Sequence, residues 1–195
     1  GKKEEKKKAD NSLKDVQSKK ELVLGLDSSF PPMGFTDKKD NIVGFDIDLA
    51  KEVTKRMGIK LKLQPINWDS KEQELDTGKI DCIWNGFTIN GREDDYTWSD
   101  PYLNNEQVMV VTSDSGIETL ADLAGKSVVV QAASAALDAL NSEDNKELTD
   151  SFASLTENPD YNTAFMNIDS GAADAVAVDI GVANYQLSQR GKDKY

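Results

Sequence analysis

The chain has 195 residues, with 23 Lys and Arg against 35 Asp and Glu, and a formal charge of −12. That length can bury the core of one large domain or two small ones, and the acidic balance argues against a nucleic-acid backbone as partner. The absence of any His removes Ser-His-Asp and Cys-His machinery and most zinc sites, so hydrolases of the usual kinds are disfavoured.

Residues 1–20 hold eight Lys against Glu4, Glu5, Asp10 and Asp15, a net +4 that leaves −16 for residues 21–195. Almost no large apolar side chain is present there to offset ordering entropy, which predicts a flexible tether. No apolar run in the chain approaches the roughly 20 residues of a membrane span.

Order is predicted to begin with a strand at Leu22-Val23-Leu24-Gly25-Leu26, stopped by Phe30-Pro31-Pro32, because proline cannot donate to a ladder. Ile47, Ala50, Val53 and Met57 recur at helical spacing before Gly58, a helix with a C-terminal glycine. Leu61 and Leu63 alternate with lysines as in a half-buried strand. A short helix over 70–76 and a continuous apolar strand over 80–84 complete a β-α-β-α-β rhythm, which signals a parallel sheet covered by helices. Cys82, the single cysteine, falls in that apolar run and reads as a buried thiol.

A strand over 108–112 is followed by polar punctuation at Ser113-Asp114-Ser115-Gly116, and the rhythm restarts with a strand at Ser127–Gln131 and a helix over 134–140. The expected organisation is therefore a tether at 1–20, a first lobe at 21–112 and a second at 113–195. An internal echo supports two comparable halves. Asp76-Thr77-Gly78-Lys79-Ile80-Asp81 and Asp169-Ser170-Gly171-Ala172-Ala173-Asp174 each place a glycine turn and an acid at the entrance of a buried strand.

The chain lacks a dinucleotide glycine fingerprint, a P-loop, a nucleophile elbow and an EF-hand loop, so no cofactor or metal is implied. The stretch Asn85-Gly86-Phe87-Thr88-Ile89-Asn90-Gly91-Arg92 follows a buried strand at its carboxyl end, where open α/β sheets place ligands. Arg92 offers a planar fork for a carboxylate, Thr88 a hydroxyl, and Gly86 a close backbone approach. The alternative for Arg92 is a surface pair with Glu93, Asp94 or Asp95. Phe30 and Trp68 follow strand ends on one edge and can sandwich a ligand or simply plug the core. Gln131-Ala132-Ala133-Ser134-Ala135 is a strand-to-helix junction whose backbone N–H groups favour an anion, or an ordinary Ser134 cap. Asp179, at another strand end, suits an ammonium group or a helix N-cap.

Together these residues resemble the solute-binding proteins of polar amino acid ABC transporters, from about Glu21 onward. The motifs are Phe30-Pro31-Pro32-Met33-Gly34-Phe35, Gly44-Phe45-Asp46-Ile47-Asp48-Leu49-Ala50, Trp68, Gly86-Phe87-Thr88 with Arg92, Trp98-Ser99-Asp100-Pro101-Tyr102, and Ala173-Asp174-Ala175-Val176-Ala177-Val178-Asp179. The resemblance implies a two-lobed, type II periplasmic-binding-protein-like α/β fold that closes on a ligand in the interlobe cleft. It further implies that Arg92 and Thr88, with backbone near Ser134 and Ala135, bind an α-carboxylate, and that Asp179 and the Gly86 carbonyl take the α-ammonium. Phe30 and Trp68 would sandwich the ligand, Asp27 and Gln131 would read its side chain, and Asn85 would line the same pocket.

The expected function is receipt of a free polar L-amino acid outside the cell and delivery to a membrane permease, by a monomer without chemistry of its own. Asp27 beside Gln131 and Asn85 suggests a ligand side chain with donors, such as glutamine or a cationic amino acid. Two alternatives stand: a dehydratase-like enzyme on the same fold, whose acid would be a carboxyl of raised pKa, and a ligand-sensing receptor domain. The resemblance also implies export, either to the cell surface with a lipid anchor next to the lysine-rich leader or to the periplasm. It departs from the family at Ala133, where glycine is usual, and at Tyr195, where the expected return strand and helix of the first lobe have not yet been reached.

Overall fold

The computed structural model describes residues 10–195. Its first element is a helix, α1 (Ser12–Lys19), followed by strand β1 (Glu21–Leu26) and the short antiparallel strands β2 (Ser29–Phe30), β3 (Gly34–Thr36) and β4 (Ile42–Val43). Helix α2 (Phe45–Met57) leads to β5 (Lys60–Pro65), a 3-10 turn at Trp68–Ser70, helix α3 (Lys71–Asp76) and β6 (Cys82–Ile83). A long connection then reaches β7 (Gln107–Val111), a 3-10 turn at Leu120–Leu123, β8 (Ser127–Gln131), α4 (Ala135–Leu140), α5 (Lys146–Ser151) and β9 (Ser154–Asn158). Helix α6 (Tyr161–Asp169), β10 (Ala175–Asp179) and α7 (Ile180–Arg190) complete the regular elements.

Two parallel sheets result, with the same internal order. In the first lobe β1 lies between β5 and β6; in the second β8 lies between β9 and β10, and β7 joins β10 antiparallel at the edge. Among the parallel strands of each lobe, the first is therefore central, the second lies on one side and the third on the other.

The echoed hexapeptides occupy equivalent places in this pattern. Gly78 and Gly171 both turn in the left-handed region, at φ 75° and 77°. Asp81 then donates its N–H to Val23 O at 2.8 Å and accepts from Val23 N at 2.7 Å. Asp174 does the same to Ser127, at 2.8 Å for both bonds. A carboxylate accepting a backbone N–H is a charge-assisted bond; here it fixes where the third strand starts against the central one.

Three expectations change. The tether prediction falls partly on residues 1–9, outside the described residues, but Ser12–Lys19 is helical, with Val16 buried and Lys19 Nζ 2.6 Å from Asp81 Oδ2. One apolar side chain and one ion pair suffice because the helix packs on an existing surface. The lobe boundary near residue 113 moves upstream: Gln107–Val111 pairs with Ala175–Asp179, so the chain is already in the second sheet by Gln107. The strand expected over 80–84 shortens to Cys82–Ile83, which pairs only with β1 and is half-buried. Burial still pushes the Cys82 thiol up to about 12, leaving it unreactive at neutral pH.

Candidate functional site: a cleft between the lobes

Strand ends from both sheets meet at one cleft. A narrow cleft, partly open to solvent and with free room of only about 10 Å³, is lined by Phe30, Trp68, Asn85, Gly86, Thr88 and Arg92 from the first lobe and by Gln131, Ser134, Ala135 and Asp179 from the second. These are ten of the eleven residues singled out in the sequence. The eleventh, Asp27, is buried just behind them, its Oδ2 accepting from Gln131 Nε2 at 2.7 Å across the cleft.

Arg92 is 8% exposed and does not pair with its acidic neighbours. Its Nη1 donates to Thr88 O at 3.1 Å, its Nη2 to Ala133 O at 2.9 Å, and Asp138 of the opposite lobe lies 3.4 Å away. Trp98 Nε1 donates to the Arg92 carbonyl, and the guanidinium lies 5.2 Å from the Phe87 ring centre. A delocalised cation tolerates such a stacked, half-dry position far better than an ammonium.

Asp179 precedes α7 but makes no capping bond; its Oδ2 instead accepts from Asn105 Nδ2 at 2.9 Å. Burial pushes its carboxyl up to about 6, partly countered by hydrogen bonding and by Arg92. Asp27 is likewise raised by burial, against hydrogen bonds from Ser29 and Gln131. Ser134 does act as a cap, accepting from Leu137 N at 3.1 Å, and this orients the junction before it. Ala133 keeps the left-handed backbone at φ 56° despite carrying a Cβ, and its carbonyl thereby faces Arg92.

The walls are set by close packing. A Cβ on Gly86 would sit 2.6 Å from Phe30 Cε1, so glycine there lets the Phe30 ring reach the cleft. Phe30 leans on Tyr161, with ring centres 5.9 Å apart, and Trp68 meets Phe87 edge-on at 5.0 Å. Asn85 Oδ1 accepts from Asp27 N, tying two strand ends together.

Lys71, Asn105, Asp138 and Tyr161 belong to this neighbourhood and were not anticipated. Tyr161 is fully buried with its hydroxyl lacking a partner, and burial next to Asp179 and Asp27 raises its pKa. Its one local signal is the Asp160 cap that starts α6. A far roomier groove of about 310 Å³, lined by Phe35 and Tyr185 among others, offers less chemistry. Its one buried polar group, Gln186, is committed to Asn162 and Arg190.

A two-lobed α/β fold with a charged interlobe cleft at its strand ends defines the architecture of a binding protein of the periplasmic type. The chain belongs to the bacterial extracellular solute-binding proteins of family 3, whose model matches residues 22–167. It is 34% identical over 140 residues to the arginine-binding extracellular protein ArtP of Bacillus subtilis, covering 71% of this chain and 52% of that protein. The L-cystine-binding protein TcyA of the same organism is 28% identical over 181 residues, covering 91% of this chain and 65% of that one. The chain thus spans between half and two thirds of the length of these relatives. A crystal structure of an ABC uptake transporter substrate-binding protein from Streptococcus pneumoniae with bound histidine superposes with a TM-score of 0.88 at 38% identity. It covers 93% of this chain and 74% of that chain.

Proposed function

We propose that this chain binds a free polar L-amino acid in the interlobe cleft and, in the whole protein, hands it to an ABC permease on the outer side of the membrane. One observation carries the reading. Arg92 and Asp179 are both about nine-tenths buried, both line the cavity, and they do not pair with each other. Arg92 is met by two backbone carbonyls and the exposed Asp138, and Asp179 by the neutral amide of Asn105, so each buried charge gains from an opposite charge brought in by a ligand. An α-amino acid brings both, with its carboxylate on the Arg92 fork and its ammonium on Asp179.

Asp27 lies just behind the lining, bonded to Gln131, which does line the cleft, and a carboxylate there favours a ligand side chain carrying donors: arginine, histidine, lysine or glutamine. The arginine-binding relative and the histidine-bound structure fit this chemistry. A dehydratase-like reading would use a raised carboxyl as acid, but Asp179 already accepts from Asn105 on Oδ2, an arrangement that suits holding an ammonium. We therefore assign no chemical step to the chain, and place it outside the cytoplasmic membrane, at the cell surface through a lipid anchor or in the periplasm.

Isothermal titration of the full chain with the twenty amino acids and L-cystine tests this. Binding is expected for one or more cationic or amide side chains, and heat from none of the ligands would refute the receptor function.

A further inference from the structure

One buried charge near the cleft has no part in the contacts described so far. Lys71 opens α3 and is 5% exposed, an unusual degree of burial for lysine. Its ammonium makes a single long hydrogen bond, to Trp68 O at 3.4 Å. Among the described residues no carboxylate forms a salt bridge with it. The charged groups facing it are Arg92, which repels it, and Glu72, Asp138 and Asp69, which offset it at longer range.

What the ammonium does meet is aromatic. Nζ lies 4.9 Å from the Trp68 ring centre and 6.0 Å from that of Phe87. A cation over an indole face is attracted by the ring quadrupole, most strongly when water is excluded. Because the same ammonium also bonds the Trp68 carbonyl, it grips that residue at the backbone and at the ring. Phe87 closes the arrangement, edge-on to Trp68 and packed in turn against Tyr96 and Trp98.

Trp68 lines the cavity and Lys71 does not. We infer that Lys71 is a positioning residue for the cleft: its ammonium holds the Trp68 ring against Phe87 as a fixed wall, so ligand affinity depends on a charge outside the cavity lining. A residue that only filled space would be replaced without loss by an apolar chain of equal length. An ammonium buried without a carboxylate partner costs folding energy, so its retention against that cost marks a role in the site.

The test uses the full chain carrying 5-fluorotryptophan at its three Trp positions, with Trp68→Phe assigning the fluorine resonance. In Lys71→Met the Trp68 resonance should shift and broaden while those of Trp84 and Trp98 stay, and the melting temperature should hold or rise. Affinity for whichever of L-arginine, L-histidine or L-glutamine binds the unmodified chain should fall about tenfold. Lys71→Arg, which keeps a cation for the ring, should restore the resonance and most of the affinity.

An unmoved Trp68 resonance in Lys71→Met overturns the assignment, as does a moved resonance with unchanged affinity. A melting temperature that drops together with affinity, without rescue by arginine, shows a structural role and also overturns it. The affinity readout rests on the proposed amino-acid binding and the resonance does not. If the unmodified chain binds no amino acid, that function fails alone, and the fluorine spectrum still decides the positioning.

Discussion

Asp46 offers a direct measure of what burial costs in this fold. It sits fully buried in the first turn of α2, its Oδ1 accepting from the Tyr102 hydroxyl at 2.5 Å and its Oδ2 without a partner. A helix N-terminus favours a carboxylate by only about 0.3–1 kcal/mol. Desolvation outweighs that and the Tyr102 bond, pushing the carboxyl from its ordinary 3.8 up to about 6. At about 1.4 kcal/mol per pH unit, the displacement corresponds to about 3 kcal/mol. Because the folded value lies above the unfolded one, this stabilisation is present in full below about pH 4 and lost as pH rises through about 6. Asp46→Asn keeps the shape and removes the charge. Urea unfolding followed by far-UV circular dichroism should find the variant close to the parent near pH 4 and more stable by about 3 kcal/mol above pH 7. A difference that does not change with pH would refute desolvation as the cause.

Asp179 must be ionised to accept an ammonium, so with its carboxyl at about 6 ligand affinity should weaken below about pH 6, by at most tenfold per pH unit. Asp179→Asn should bind weakly with a flat profile, and titration calorimetry between pH 5 and 8 checks both. Ala133→Gly relieves a left-handed conformation that costs a Cβ-bearing residue about 1–2 kcal/mol, offset by glycine's extra chain entropy of about 0.5–1 kcal/mol. A net gain of roughly 0.5–1 kcal/mol is expected in thermal unfolding, and a loss would contradict the strain at φ 56°. Arg92→Lys loses the planar fork that now spans Thr88 O and Ala133 O, so affinity should fall about 10- to 100-fold. Unchanged affinity would remove Arg92 from the site.

Strand and helix placement was legible where side-chain periodicity is a local property. The alternation of Leu61 and Leu63 with lysines, the 3.6-residue spacing of α2 and the apolar run Ser127–Gln131 all appear as elements. The two acidic echoes were legible as a pattern, and their purpose emerged once Asp81 and Asp174 were seen to clamp Val23 and Ser127. Candidate site residues were legible because sheets of this kind present ligand groups at strand carboxyl ends, and a strand's end can be read from its sequence.

Sequence by itself determined the β-α-β-α-β rhythm of the first half and its restart at Ser127 in the second, the acidic body without imidazole, and the strand-end positions that supply the cleft, since each follows from spacing along the chain. Only the tertiary structure decided which of two equivalent partners each polar group takes. Arg92 faces Thr88 and Ala133 instead of Glu93, Asp94 or Asp95, and Asp179 holds Asn105 instead of capping α7. Tertiary contact also ordered α1 through Val16 and Lys19, moved the lobe boundary ahead of Gln107 and buried Lys71 against two aromatic rings. These outcomes depend on residues far apart in the chain, where desolvation and pairing compete in three dimensions and local patterns carry no information about the winner.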